Sequence, residues 1–399
     1  MTATLRGAAL AAACLSLSGC VLSDSLRQNN IFSVWGRPLP PRNVFYITDR
    51  EPLDRESEGK GFSLNWGGGA AHCGRSTVAI ANAGAAPAPD PKLEPVACEG
   101  EAAMAAFASQ VAAAAAPCGR VLVIVHGFNL SFRTALLHGA QAATDAQWRC
   151  ATILFNWSSA ALFNRYAADI EHSGYAVPLM LQLLRALGAV GLEPDILAHS
   201  MGARISLSAL SALCQESRPV VGELILAAPD VSADSADDDF GRLLTRDARC
   251  ARRTTLYASD NDLALIASES AHGGIARAGG HPARAMDYVS AAPRVEVVDA
   301  SLTTGDISGH AYFVFSYEML DDLMWLLDGA AQDKRAGLGT LTCADWSGGW
   351  RQGSAPMSAQ WPRCSSAAGT RRRLRSCRQI CATSSASPWR SNPSVPTAN

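Results

Sequence analysis

Along the middle of the chain, short apolar runs alternate with longer stretches in which apolar residues recur every three or four positions. The runs from Arg120 to Val125, Thr152 to Trp157, Ile196 to Ala198, Glu223 to Ala228, Thr254 to Ala258 and Val295 to Val298 predict strands. The periodic stretches from Phe132 to Trp148, Tyr166 to Leu187 and Tyr312 to Leu327 predict helices, with another around Phe240 to Leu244. Upstream, alternation from Val44 to Thr48 predicts a first strand, and Glu101 to Ala116 reads as an alanine-rich helix. The region between them is rich in Gly, Pro and charge, with short strand candidates at Gly61 to Trp66 and Thr77 to Ile80. Strand and helix in alternation predict an α/β fold, a mostly parallel twisted sheet with helices on both faces. Ligands of such sheets bind in the crevice at the carboxyl ends of the strands.

The two ends of the chain change that picture. Residues 1–20 read as a lipoprotein signal: Arg6, the apolar stretch Gly7 to Leu17, then Leu17-Ser18-Gly19-Cys20. Cys20 is the expected lipidation site, which implies a bacterial cell envelope location, lipid-anchored and facing the periplasm from the outer membrane. Residues 21–42 are polar with several prolines and read as a tether, so the folded domain is expected over 43–328. From 329 to 399 Ser, Arg, Pro, Trp and Cys accumulate without periodicity, which predicts a disordered tail. A net charge of -2 argues against a nucleic-acid partner.

Two segments carry the chemistry. Val121-Leu122-Val123-Ile124-Val125-His126-Gly127-Phe128-Asn129 is a buried strand ending in a small-residue loop. Asp195-Ile196-Leu197-Ala198-His199-Ser200-Met201-Gly202 is a strand, a tight turn at a serine, and then a helix with Ile205, Leu207, Leu210 and Leu213 on one side. Such a turn presents a hydroxyl above the sheet, where a base can activate it. Ala198 stands where such elbows usually have their first glycine.

The chain resembles the α/β-hydrolase superfamily, and within it a bacterial branch of uncharacterised secreted or lipid-anchored hydrolases. The resemblance rests on Phe45-Tyr46-Ile47-Thr48-Asp49-Arg50, His126-Gly127-Phe128-Asn129, Phe155-Asn156-Trp157-Ser158-Ser159, the Ser200 turn, Ala227-Ala228-Pro229-Asp230 and Leu256-Tyr257-Ala258-Ser259-Asp260-Asn261-Asp262. It implies the α/β-hydrolase fold and a catalytic order of serine, acid, histidine. Ser200 is then the nucleophile. His310, in a glycine-containing loop between the last strand and the last helix, is favoured as base over His272 and His281, which are expected at the surface of a loop after Ala264. Asp262 is favoured as acid over Asp230, with Asp260 a weaker rival, while the run Asp237-Asp238-Asp239 reads as a solvated helix start. The backbone N–H groups of Phe128 and Met201 are the expected oxyanion hole. His126 is expected to shape that loop, and Trp157, Ser158 and Tyr166 either line the pocket or pack against the loop.

The resemblance also orders the strands. Cys118 and Cys150 precede strands that are parallel neighbours in this superfamily, so they are expected to pair. Cys214 and Cys250 are expected to pair at the same edge, opposite the active site, and Cys73 with Cys98 by elimination. No Cys-x-x-Cys pair occurs in that set, so neither a metal nor another cofactor is expected. The short segment between Asp230 and Thr254 leaves no room for a large lid domain. The expected activity is a serine hydrolase, a carboxylic ester hydrolase of esterase, thioesterase or amidase type, acting on a small-molecule or lipid-like acyl substrate. The alternative is a non-catalytic scaffold of this fold that binds a partner at the cell envelope.

Overall fold

The computed structural model describes residues 40–54, 59, 61–80, 89–160, 165–216, 221–233, 241, 250–289, 294–303, 308–335, 339–341 and 375–377. The expected signal segment with Cys20, most of the tether, the helix around Phe240 to Leu244 apart from Gly241, and Asp237 to Asp239 lie outside these residues.

In chain order the elements are β1 (Arg42–Thr48), β2 (Arg50–Pro52), β3 (Phe62–Trp66), β4 (His72–Val78), β5 (Lys92–Val96), α1 (Glu101–Ala115), β6 (Arg120–Val125), α2 (Phe132–Asp145), β7 (Ala151–Asn156), α3 (Tyr166–Ala189), β8 (Glu193–His199), α4 (Gly202–Glu216), β9 (Val221–Ala227), β10 (Ala251–Ala258), α5 (Leu263–Ala271), α6 (Pro282–Val289), β11 (Val295–Asp299), α7 (Tyr312–Phe315) and α8 (Tyr317–Leu327). Two three-residue strands follow, β12 (Gly339–Leu341) and β13 (Arg375–Cys377).

One sheet runs β12-β13-β11-β10-β9-β8-β6-β7-β1-β4-β5. Its centre, from β11 to β1, is parallel throughout. The α/β expectation is met, with antiparallel additions at both edges. β6 is apolar at five successive positions because both of its faces are covered. On one face α1, α3 and α4 bury Phe107, Met180, Leu183 and Ile205. On the other, α2, α7 and α8 bury Leu136, Phe313 and Leu323.

Three differences from the expected elements have physical reasons. The last helix is interrupted at Ser316, whose extended backbone (φ -90°, ψ 126°) ends α7 while its hydroxyl accepts from Met319 N and caps α8. The segment after Ala264 is helix α5, not loop; Asp262 caps it by accepting from Leu265 N at 2.9 Å. Packing continues past Asp328, since buried Arg335 meets Glu296 at 3.2 Å and Asp322 at 3.3 Å, and the tail contributes β12 and β13 to the sheet edge.

Among the described residues three disulfides join Cys73–Cys98, Cys118–Cys150 and Cys214–Cys250, each with Cα atoms 5.8 Å apart. The second and third sit at the amino edge of the parallel strands, as expected. Cys73 lies opposite Ile47, towards the carboxyl end of β1. A non-reduced digest should return these three linked peptides; free thiols at Cys118 and Cys150 would refute the layout. Replacing that pair with serines should lower the unfolding free energy by about 2–4 kcal/mol in denaturant titration.

Candidate active site

The sheet's strand order reverses at β6. From β6 the chain passes through α2 to β7 on one side, and from β8 through α4 to β9 on the other, so right-handed crossovers put α2 and α4 on opposite faces. The chain therefore leaves β6 and β8 towards opposite faces, and the carboxyl end of this switch point is where sheets of this kind hold their ligands.

Ser200 occupies that turn with φ 52°, a left-handed conformation that costs a non-glycine residue about 1–2 kcal/mol. Three hydrogen bonds over-determine it. Its N–H donates to Ala227 O at 2.9 Å, and its carbonyl accepts from Asp230 N at 3.1 Å and Ala203 N at 3.0 Å. Two glycines allow the close approach. A Cβ on Gly202 would stand 2.6 Å from the carbonyl oxygens of both Val125 and His126, and one on Gly127 would stand 2.9 Å from Ser200 Cβ. Ala198 fits where a glycine is usual because its position in β8 is an ordinary buried strand site facing Val125 and Leu226.

His310 and Asp262 reach the same edge from the ends of β11 and β10. His310 Nδ1 donates to Asp262 Oδ2 at 2.7 Å, with the carboxylate fully buried. Asp262 Oδ1 holds the first turn of α5, and Leu263 N donates to Ser308 O at 2.9 Å, so both loops are tied together. His199, the residue before Ser200, donates from Nε2 to His310 O at 3.2 Å, and the two rings lie 4.6 Å apart. Burial, and then the neighbouring His310, hold the His199 imidazole well below its ordinary pKa.

Asp230, the rival acid, is engaged elsewhere. It accepts from Arg277 Nε at 2.9 Å, Ser268 Oγ at 2.6 Å and Tyr166 OH at 2.6 Å. Burial alone would raise its pKa, but the Arg277 charge and these donors outweigh it and the pKa is lowered. Asp260 is exposed, its N–H donating to Ser301. Neither alternative histidine is a plain surface residue, because the segment after Ala264 is helical. His272 caps α5 and donates to Ser268 O at 2.8 Å, while His281 meets Glu269 at 2.6 Å.

Among the described residues, neither the Phe128 nor the Met201 N–H donates to a protein acceptor. His126 shapes their loop. Its Nδ1 donates to Gly127 O at 2.7 Å, its ring stacks on Trp157, and Trp157 Nε1 donates to His126 O at 2.8 Å. Burial first, and then the nearby Arg50 charge, push the His126 pKa down to about 3, so it is neutral near pH 7. Trp157 is fully buried and packs against the loop; Tyr166 stands edge-on to the Phe128 ring at 5.3 Å. Ser158 is buried and donates to Asp49.

The sequence did not single out the residue that ties these loops together. Arg50, fully buried, donates to Leu130 O at 2.8 Å, Ser159 O at 2.9 Å, Ser63 O at 3.2 Å and Asn156 Oδ1 at 3.0 Å. Ser159 Oγ in turn accepts from Asn129 N at 2.8 Å and donates to Asp169 at 2.5 Å. A charge placed directly after a buried strand was the available signal.

The alpha/beta hydrolase family of unknown function DUF900 matches residues 102–325, more than half of the chain. The chain belongs to that family. Its α/β-hydrolase fold follows from this match and from the sheet described above. A solved structure from a structural analysis of two fungal esterases from Rhizomucor miehei is similar at 10% identity, covering 69% of this chain and 78% of that chain, with a TM-score of 0.32. A likeness that loose carries no argument. No curated protein matches the chain.

Arg50→Ala should lower stability by about 3–5 kcal/mol in denaturant unfolding, because four acceptors, two of them buried, lose their donor. Arg50→Lys should not restore it, since an ammonium lacks the planar fork. Full rescue by lysine would mean that only the charge matters.

Proposed function

We propose that this α/β hydrolase cleaves a carboxylic ester, thioester or amide through an acyl-enzyme on Ser200, with His310 as base and Asp262 as its orienting acid. The 2.7 Å contact from His310 Nδ1 to Asp262, in a loop packed against the residue before Ser200, supports this reading most. With Nδ1–H donated to the carboxylate, Nε2 is the basic nitrogen of His310.

In the proposed reaction, Ser200 Oγ attacks the substrate carbonyl carbon as its proton passes to His310 Nε2. The carbonyl oxygen becomes an oxyanion that accepts from the Phe128 and Met201 N–H groups, each donor contributing about 3 kcal/mol. The bond to the leaving group breaks as His310 returns the proton to it. Water then attacks the acyl-enzyme, gives its proton to His310, and the acid departs as Ser200 is reprotonated. We further propose that Cys20 carries a lipid that holds the protein at the periplasmic face of the outer membrane, so that a lipid-like acyl substrate is within reach.

A fluorophosphonate probe should label the wild type and not Ser200→Ala. A wild type that stays unlabelled and inert toward nitrophenyl esters of all chain lengths would favour a binding scaffold instead. Asp262→Asn should reduce kcat about 10⁴-fold by mis-orienting the imidazole, and His310→Ala should be at least as severe. Asp230→Asn should cost less kcat and more stability. If it costs more turnover than Asp262→Asn, the acid is misassigned. Feeding cells a clickable fatty acid should mark the wild-type chain but not Cys20→Ser; an unmarked wild type would remove the anchor.

A further inference from the structure

We propose that the carboxyl edge of the sheet, with the Ser200 crevice near its middle, is the face this protein lays on a lipid–water interface.

The exposed large apolar side chains among the described residues are distributed one-sidedly. Leu53, Leu64 and Trp66 belong to the β2–β3 ribbon beyond the end of β1, and Tyr175 of α3 lies 4.7 Å from Trp66 between ring centroids. Leu263, Ile266 and Ile275 lie on or just beyond α5, after β10, and Leu302 follows β11. Every one sits in a segment that leaves the carboxyl end of a parallel strand. Leu53 is 63% exposed and Ile266 47%, and it is their grouping with the others on one edge that marks a surface. At the amino edge Arg252 and Glu193 form an exposed ion pair, with the more buried pairs Arg253–Glu223 and Arg120–Asp195 beside it.

The two apolar groups flank the crevice. From β1 to β11 there are six strand spacings of about 4.8 Å, so the ends of the strands that lead to the two groups lie roughly 25–30 Å apart, with β8 and Ser200 midway. A peptide or small molecule seated in the crevice would leave both groups exposed. A plane wider than the molecule covers both at once, with the crevice facing it. Trp66 and Tyr175 suit the depth where a bilayer meets water, since each ring has an apolar body and a polar tip.

The orientation rests on the proposed anchor only in that Cys20 brings the chain to a membrane. The segment from Cys20 to Arg42 reaches at most roughly 75 Å and joins β1 at the amino edge, several times the roughly 23 Å length of a seven-residue strand such as β1. A tether of that length lets either edge meet the bilayer. The apolar flanks select the one that opens the crevice to lipid.

The chain from Val21 onward carrying Ser200→Ala, neither acylated nor able to turn over, isolates the docking step. It should co-sediment with vesicles of phosphatidylethanolamine and phosphatidylglycerol. The pairs Leu53→Ser with Trp66→Ser, and Leu263→Ser with Ile266→Ser, should each weaken partitioning about tenfold or more, while Arg252→Ser at the opposite edge should not. Unchanged melting curves would exclude misfolding of these exposed-site variants. Absence of vesicle binding, binding that ignores both pairs, or a concentration-dependent dimer dissolved by the same changes would overturn the proposal; the last would assign the face to a second copy. No arm depends on hydrolysis or acylation, so failure here leaves the reading of Ser200 and Cys20 to their own tests.

Discussion

The candidate site depends on how closely the turn after β8 approaches the end of β6. With Gly202 against the carbonyls of Val125 and His126, and Gly127 against Ser200, the two segments pass at backbone contact distance. That contact sets Gly127, the neighbour of Phe128, against Ser200, the neighbour of Met201, and Ser200 holds a left-handed turn above the sheet. A methyl group at either glycine would drive the segments apart and separate every group that the proposed chemistry needs together.

The close approach is held from outside by buried polar groups. Arg50 joins the loops after β6 and β7 to the β2–β3 ribbon, and Asp230 with Arg277 secures the opposite wall behind Tyr166. Both are charges taken out of water, tolerable only because nearly every donor and acceptor is matched. The site is thus set on a polar frame inside an otherwise apolar fold, which favours rigidity over adaptability.

What was legible in the sequence follows from range. β6 could be read to the residue because a strand buried on both faces is apolar without interruption. The loop of His310 could be located because it falls between a strand and a helix that both carry clear patterns. The Arg50 frame could not, since three of its four partners are main-chain carbonyls, one of them 109 residues away, and carbonyls leave no mark in composition. α5 was hidden for a different reason: Leu263 and Ile266 point to solvent, so the helix lacks the apolar stripe by which helices are recognised. The outer strands β4 and β5 alternate weakly in a Gly- and Pro-rich region, and the ladder that makes them strands runs along β1.

The disulfides carry a consequence for how the chain matures. In chain order the six bridged cysteines join first to second, third to fourth and fifth to sixth, with partners 25, 32 and 36 positions apart. As the polypeptide emerges from its amino end, each thiol meets its proper mate before any later thiol has appeared. Oxidation can then keep pace with emergence, and no bridge has to be broken and remade to reach the native set.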